Sequence, residues 1–139
     1  KELLTRVDIL VINEEEAQQL TGFQHPLAVA EGLRAMGPDS IIVKRGEYGA
    51  LLFLGEEIFC APAYPLKTVA DPTGAGDSFA GGFLGYLAEA GHTDLRQAVI
   101  AGSSTASFCV QDVGIGALVE LGRDDIESRI RAFRAMTTF

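Results

Sequence analysis

Cysteine, histidine and basic side chains are scarce in this sequence, and each scarcity removes a class of function. Cys60 and Cys109 stand far apart with no histidine at ligand spacing. That pattern supports neither a zinc site nor a disulfide framework, and it suits a reducing, cytoplasmic setting. The two histidines, His25 and His92, fall in turns without an acidic partner at useful spacing and read as surface residues. Against 19 acidic side chains there are 11 basic ones, a net charge of -8, which repels a nucleic-acid backbone or an anionic membrane surface. Lys44-Arg45 is the only adjacent basic pair, and Arg129, Arg131 and Arg134 are spread around a helix that also carries Glu127, so no basic stripe forms. No apolar run approaches the roughly 20 residues that span a bilayer, and no signal peptide opens the chain.

What is present fits a packed α/β chain. With 139 residues and a 47% hydrophobic fraction there is material for a real core, and one globular unit over residues 1–139 is expected. Val7 to Ile12 reads as a buried strand, and Asn13 begins a short acidic helix through Leu20 that Thr21-Gly22 ends. Pro26 to Met36 has helical spacing with proline in its first turn and Gly37 after its last. Ser40 to Lys44 is a second strand, completing a strand-helix-strand unit of the kind that builds parallel sheets. Ala50 to Leu54 and Glu57 to Ala61 suggest a hairpin, and Lys67 to Ala70 a further short strand. Helices are expected over Gly76 to Ala90, Asp94 to about Gln111, and Arg123 to about Ala135.

The stretch Asp71-Pro-Thr-Gly-Ala-Gly-Asp77 carries the chemistry. A strand, then Gly74-Ala75-Gly76, then a helix lets consecutive backbone N–H groups aim at one place, where the helix dipole adds positive potential. Such a site suits a transferring phosphoryl group. Asp77 beside it would repel a static phosphate, so its presence is better explained as a general base on an attacking hydroxyl. The plainer alternative is that Asp77 and Ser78 only favour a helix start. The segment contains neither GxxxxGK[ST] nor the third glycine of GxGxxG, so it is no P-loop and no dinucleotide fingerprint. A nicotinamide-linked oxidoreductase is accordingly a distant alternative.

DPTGAGDSFAGGFL, residues 71 to 84, closely resembles the C-terminal signature of the ribokinase-like (PfkB) family, whose members phosphorylate sugars, nucleosides and related alcohols with ATP. The resemblance implies a three-layer α/β/α fold, of which this chain would be the C-terminal, nucleotide-binding half with a helical C-terminus. It implies Gly74, Ala75 and Gly76 as the anion hole and Asp77 as catalytic base. Asn13-Glu-Glu-Glu16 resembles the family's NxxE motif, implying Asn13 near the nucleotide phosphates and Glu16 ordering water around Mg2+. A capping box is the local alternative there. Lys44-Arg-Gly-Glu-Tyr-Gly49 is similar to a nucleotide-contacting strand end, implying Lys44, Gly46 and Gly49 as contacts, although relatives often carry threonine at the position of Lys44. A hairpin turn accounts for the two glycines as well. The small residues of the helix around Ala101 to Ser107 point to tight helix-sheet packing; the resemblance sets this helix beside the adenine pocket and implies Ser103 as a nucleotide contact, with packing equally able to account for it. Asp71, Thr73 and the loop Cys109 to Gly114 match a stretch that binds a monovalent cation, K+, through backbone oxygens in several relatives.

Family members are considerably longer, and the half that grips the sugar, with its β lid, is not in these residues. The chain is therefore expected to be a fragment of a kinase domain or to need a partner for the rest. An exposed sheet edge implies a homodimer or another association covering it. In isolation it is expected to be inactive, because Asp77 would have no positioned hydroxyl. A non-catalytic nucleotide- or phosphate-binding module is the main alternative.

Overall fold

The structure, a computed structural model, describes residues 2–89, 91 and 93–138. They form a mixed α/β fold consistent with ribokinase-like architecture, in two compact units, Lys1–Ala61 and Pro62–Phe139. His92, read as a surface residue, and Ala90, the expected end of a helix, lie outside the described residues. His25 is exposed, as expected.

The first unit is a four-stranded sheet in the order β1-β2-β3-β4, with β1 Ile9–Asn13, β2 Ser40–Lys44, β3 Ala50–Leu54 and β4 Glu57–Ala61. β1 and β2 are parallel and the other pairs antiparallel. The parallel pair is joined by helices α1 Glu14–Thr21 and α2 Pro26–Arg34. Ala17, Val29, Ala30 and Leu33 from these helices pack with Ile41, Val43 and Phe53 of the sheet. Ile41 and Ile42 are both fully buried, so β2 is covered on both faces, which is what its unbroken apolar run implies. β1 lies at the edge, and all five of its residues are only half-buried. After α2, Gly37 adopts φ +138, and a Cβ there would lie 2.7 Å from the Thr5 Cα. No other residue passes that crossing.

The second unit is helical: α3 Ala75–Ala88, α4 Leu95–Cys109, α5 Gly116–Val119 and α6 Arg123–Thr137. Asp94 caps α4, its Oδ1 accepting from the Arg96 N–H at 2.9 Å and the Gln97 N–H at 3.3 Å. The small residues of α4 are explained by α3. A Cβ on Gly102 would lie 2.7 Å from the Phe79 carbonyl oxygen, and one on Gly82 2.9 Å from that of Ala101. Within this unit the close approach is helix against helix. α6 is clamped to α4 by Arg129, whose guanidinium lies 3.5 Å from the Phe108 ring centroid and 4.3 Å from that of Tyr64. The same Nη1 donates to Ser107 Oγ and Gln111 Oε1, both at 2.9 Å. Burial of the guanidinium pushes its pKa down from the ordinary value.

Lys67 to Ala70, expected as a strand, is not one. The Ala70 N–H donates instead to the Val110 carbonyl at the end of α4, at 2.8 Å. Its hydrogen bond is satisfied by a helix end rather than by a strand ladder. No helix among the described residues is long and apolar enough to cross a membrane.

Candidate active site

In the first unit, the expected nucleotide contacts gather where β1 and β2 end. Asn13 and Lys44, the last residues of the parallel pair, are directly opposed in the register. The carboxyl ends of parallel strands are where open α/β sheets usually hold ligands. Asn13 also caps α1: its Oδ1 accepts from the Glu16 N–H at 2.7 Å, and its own N–H donates to Glu16 Oε2 at 3.2 Å. The capping box is therefore formed. It leaves the Asn13 amide NH2 and Glu16 Oε1 without a hydrogen bond among the described residues. Arg45 Nε donates to Glu14 Oε1 at 2.8 Å, tying the end of β2 to the start of α1. Gly46 and Gly49 bracket a 3-10 turn with φ +55 and +85, closed by hydrogen bonds from Arg45 N–H to the Gly49 carbonyl and from Gly49 N–H to the Gly46 carbonyl. The turn serves the β2–β3 hairpin, as the local alternative had it.

In the second unit, Asp71 to Asp77 leads into α3. Asp71 Oδ1 accepts from the Thr73 N–H at 2.9 Å. Hydrogen bonding to Thr73, side chain first and then backbone, holds the Asp71 carboxyl below its ordinary pKa of 3.8. Gly74 is the N-cap at φ +80, a conformation natural only to glycine, and it supplies no side-chain cap. Ala75 N–H reaches the Pro72 carbonyl at 3.2 Å and Ser78 N–H the Gly74 carbonyl at 2.9 Å. The N–H groups of Gly74, Gly76 and Asp77 make no hydrogen bond among the described residues. A helix start with open N–H groups and no capping side chain can receive an anion there. Asp77 sits in the first turn of α3 and is exposed. Ser103 is half-buried in the middle of α4.

The comparisons decide the lineage. The model of the pfkB family of carbohydrate kinases matches residues 1–120. The chain belongs to that family. Among its relatives, the cytidine kinase of Thermococcus kodakarensis is 42% identical over 89 residues, 62% of this chain and 32% of the relative. The ribokinase of Arabidopsis thaliana is 38% identical over 122 residues, 81% of this chain and 31% of the relative. The crystal structure of aminoimidazole riboside kinase from Salmonella enterica, complexed with aminoimidazole riboside and an ATP analog, superposes with a TM-score of 0.79 at 30% identity. The match covers 92% of this chain and 43% of that one. The pfkB chain thus spans about a third of the length of the curated relatives it matches. The resemblance carried by residues 71 to 84 is borne out.

The resemblance paired Asp71 and Thr73 with the loop Cys109 to Gly114, but two contacts between them were not foreseen. Cys109, buried, places its Sγ 3.6 Å from the Thr73 carbonyl oxygen, and the Val110 carbonyl receives Ala70 N–H at 2.8 Å and Asp71 N–H at 3.4 Å. These partners lie some three dozen residues beyond the turn, a separation no local pattern encodes. No group of three or more His, Cys, Asp or Glu among the described residues can hold a metal ion. Mg2+ in phosphoryl transfer needs no such cage, since it keeps waters and leans on substrate phosphates plus one or two carboxylates. The free Oε1 of Glu16 fits that role.

Proposed function

We propose that the protein to which this chain belongs transfers the γ-phosphoryl group of ATP to a hydroxyl of a sugar, nucleoside or related small alcohol, with Asp77 as general base. The observation that carries the proposal is the uncapped start of α3, where open N–H groups at Gly74, Gly76 and Asp77 adjoin an exposed carboxylate. Gly74 to Gly76 would stabilise charge developing on the transferring phosphoryl oxygens. Asp77 would take the proton as the acceptor oxygen attacks phosphorus. Support comes from relatives described as cytidine kinase, aminoimidazole riboside kinase and ribokinase. Asn13, Lys44, Gly46, Gly49 and Ser103 are assigned to the nucleotide and Glu16 to water around Mg2+. When bound, Mg2+ would offset phosphate charge. Asp71 and Thr73 are assigned to a K+ site through backbone oxygens, for which the Thr73 carbonyl keeps one lone pair beside its contact with Cys109. The two free thiols agree with a cytoplasmic location.

The alternative of a nucleotide-binding module without catalysis is separated from this reading by calorimetry and turnover on the full-length protein. Binding of ATP with phosphorylation of an alcohol from a panel supports transfer, and binding without any turnover supports the module. For the 139-residue chain alone, weak ATP binding and no measurable transfer are expected, because no acceptor is positioned. Turnover at full-length rates would contradict that expectation.

Among the described residues β1 has a partner only in β2, and it is built from Ile9, Leu10, Val11 and Ile12. An unpaired apolar edge of this kind recruits another strand. The isolated chain is therefore expected to run as a dimer or larger species in size-exclusion chromatography with light scattering. A clean monomer at high concentration would refute this.

A further inference from the structure

The turn that begins α3 lacks internal constraint where it matters most. Gly74 adopts φ +80, and glycine populates positive and negative φ with similar ease. Its conformation must therefore be imposed by neighbours. Thr73, just before it, is held on both sides. Its N–H is taken by Asp71 Oδ1 at 2.9 Å, and its carbonyl oxygen lies 3.6 Å from Cys109 Sγ. A peptide unit is planar and trans, so the carbonyl of one residue and the N–H of the next point in opposite directions. Fixing the Thr73 carbonyl therefore fixes the aim of the Gly74 N–H. Sγ also lies where a Cβ on Gly74 would meet it at 3.8 Å, so the sulfur backs this peptide unit. The segment upstream is anchored to the same helix end, with Ala70 and Asp71 N–H groups on the Val110 carbonyl.

We propose that Cys109 is a positioning residue for phosphoryl transfer: its thiol donates to the Thr73 carbonyl and orients the Gly74 N–H toward the transferring group. The inference rests on the reading of Gly74 to Asp77 as the transfer turn. Cys109 is 3% exposed, which places it beneath the turn and out of reach of substrate. Its effect passes entirely through the backbone of Thr73 and Gly74. A donor aimed at charge that develops only in the transition state changes kcat and leaves ground-state binding nearly unaltered.

The test uses the full-length kinase. Cys109→Val keeps a branched apolar side chain of similar size and removes the donor, whereas Cys109→Ser keeps one. Cys109→Val is expected to lower kcat by about five- to tenfold, with KM for ATP and for the acceptor within about twofold, as for a mis-aimed transition-state contact. Cys109→Ser is expected to fall between Val and wild type. A purely structural role would lower Tm and leave kcat per folded molecule unchanged. Retention of kcat within about twofold in Cys109→Val, or a serine variant no faster than the valine one, overturns the proposal. If the valine variant does not fold, Cys109→Ala is judged by the same limits. Asp77→Asn measured alongside separates the two claims. If that variant is inactive while Cys109→Val is normal, only the positioning role fails. If Asp77→Asn is also active, the reading of the turn fails with it.

Discussion

Asp77→Asn in the full-length protein is expected to lower kcat for the proposed transfer by about 10²- to 10⁴-fold, the range a positioned general base supplies. Each decade corresponds to about 1.4 kcal/mol of barrier, so the loss is roughly 3–6 kcal/mol. Folding cannot account for a change of that size. Asp77 is exposed in the first turn of α3, and neutralising it forfeits only a helix-dipole interaction of about 0.3–1 kcal/mol. Thermal unfolding should consequently move by no more than a few degrees while turnover collapses. ATP binding should hold or tighten slightly, because a carboxylate next to the phosphates is removed. A variant with normal turnover would return Asp77 to the role of a helix-start acid.

The second large effect concerns packing. Gly102→Val is expected to destabilise the protein by about 1–3 kcal/mol, the usual cost of forcing volume into a filled interface. At Gly102 the obstacle is the Phe79 carbonyl oxygen, 2.7 Å from the added Cβ, with the Phe79 ring at 3.2 Å. A backbone oxygen cannot rotate aside, so α3 must move away from α4. Phe79 follows Asp77 by two residues, and the displacement therefore reaches the turn. Lower kcat is expected together with lower Tm. Gly85→Ala, on α3, provides the contrast. Nothing lies within 4 Å of its added Cβ, and replacing a mid-helix glycine by alanine should stabilise by up to about 1 kcal/mol. Denaturant midpoints for the two variants should shift in opposite directions, and equal shifts would undermine the close-packing account of α3 and α4.

Much of the fold was legible because its signals are local. Ser40–Lys44, Ala50–Leu54 and Glu57–Ala61 are apolar runs punctuated by glycine turns, and the observed strands have those bounds. Asn13 and Glu16 announced a helix start, and the capping box is there. The glycine turn at 74–76 likewise signalled a helix start, and α3 begins there. Failures came where a long-range partner decides. Lys67 to Ala70 has a composition that tolerates a strand, but its final N–H is captured by the end of α4. Small residues in α4 signalled a close neighbour without saying which, and α3 proved to be one. Arg129 looked like one of several arginines scattered around a helix. Its role depends on Phe108 and Tyr64 flanking it, a relation visible only after folding. The resemblance brought the loop that begins at Cys109 beside Thr73, but the contact of its thiol with the Thr73 carbonyl is visible only after folding.

The central claim is that this turn serves phosphoryl transfer to an alcohol, and phosphorus NMR of the full-length protein tests it most directly. The protein would be incubated with ATP, Mg2+ and a panel of sugars and nucleosides. The account predicts a new phosphomonoester resonance growing in step with ADP for at least one acceptor, and none when Asp77→Asn replaces wild type. ADP appearing only with inorganic phosphate, or ATP bound and left intact across the whole panel, would contradict it.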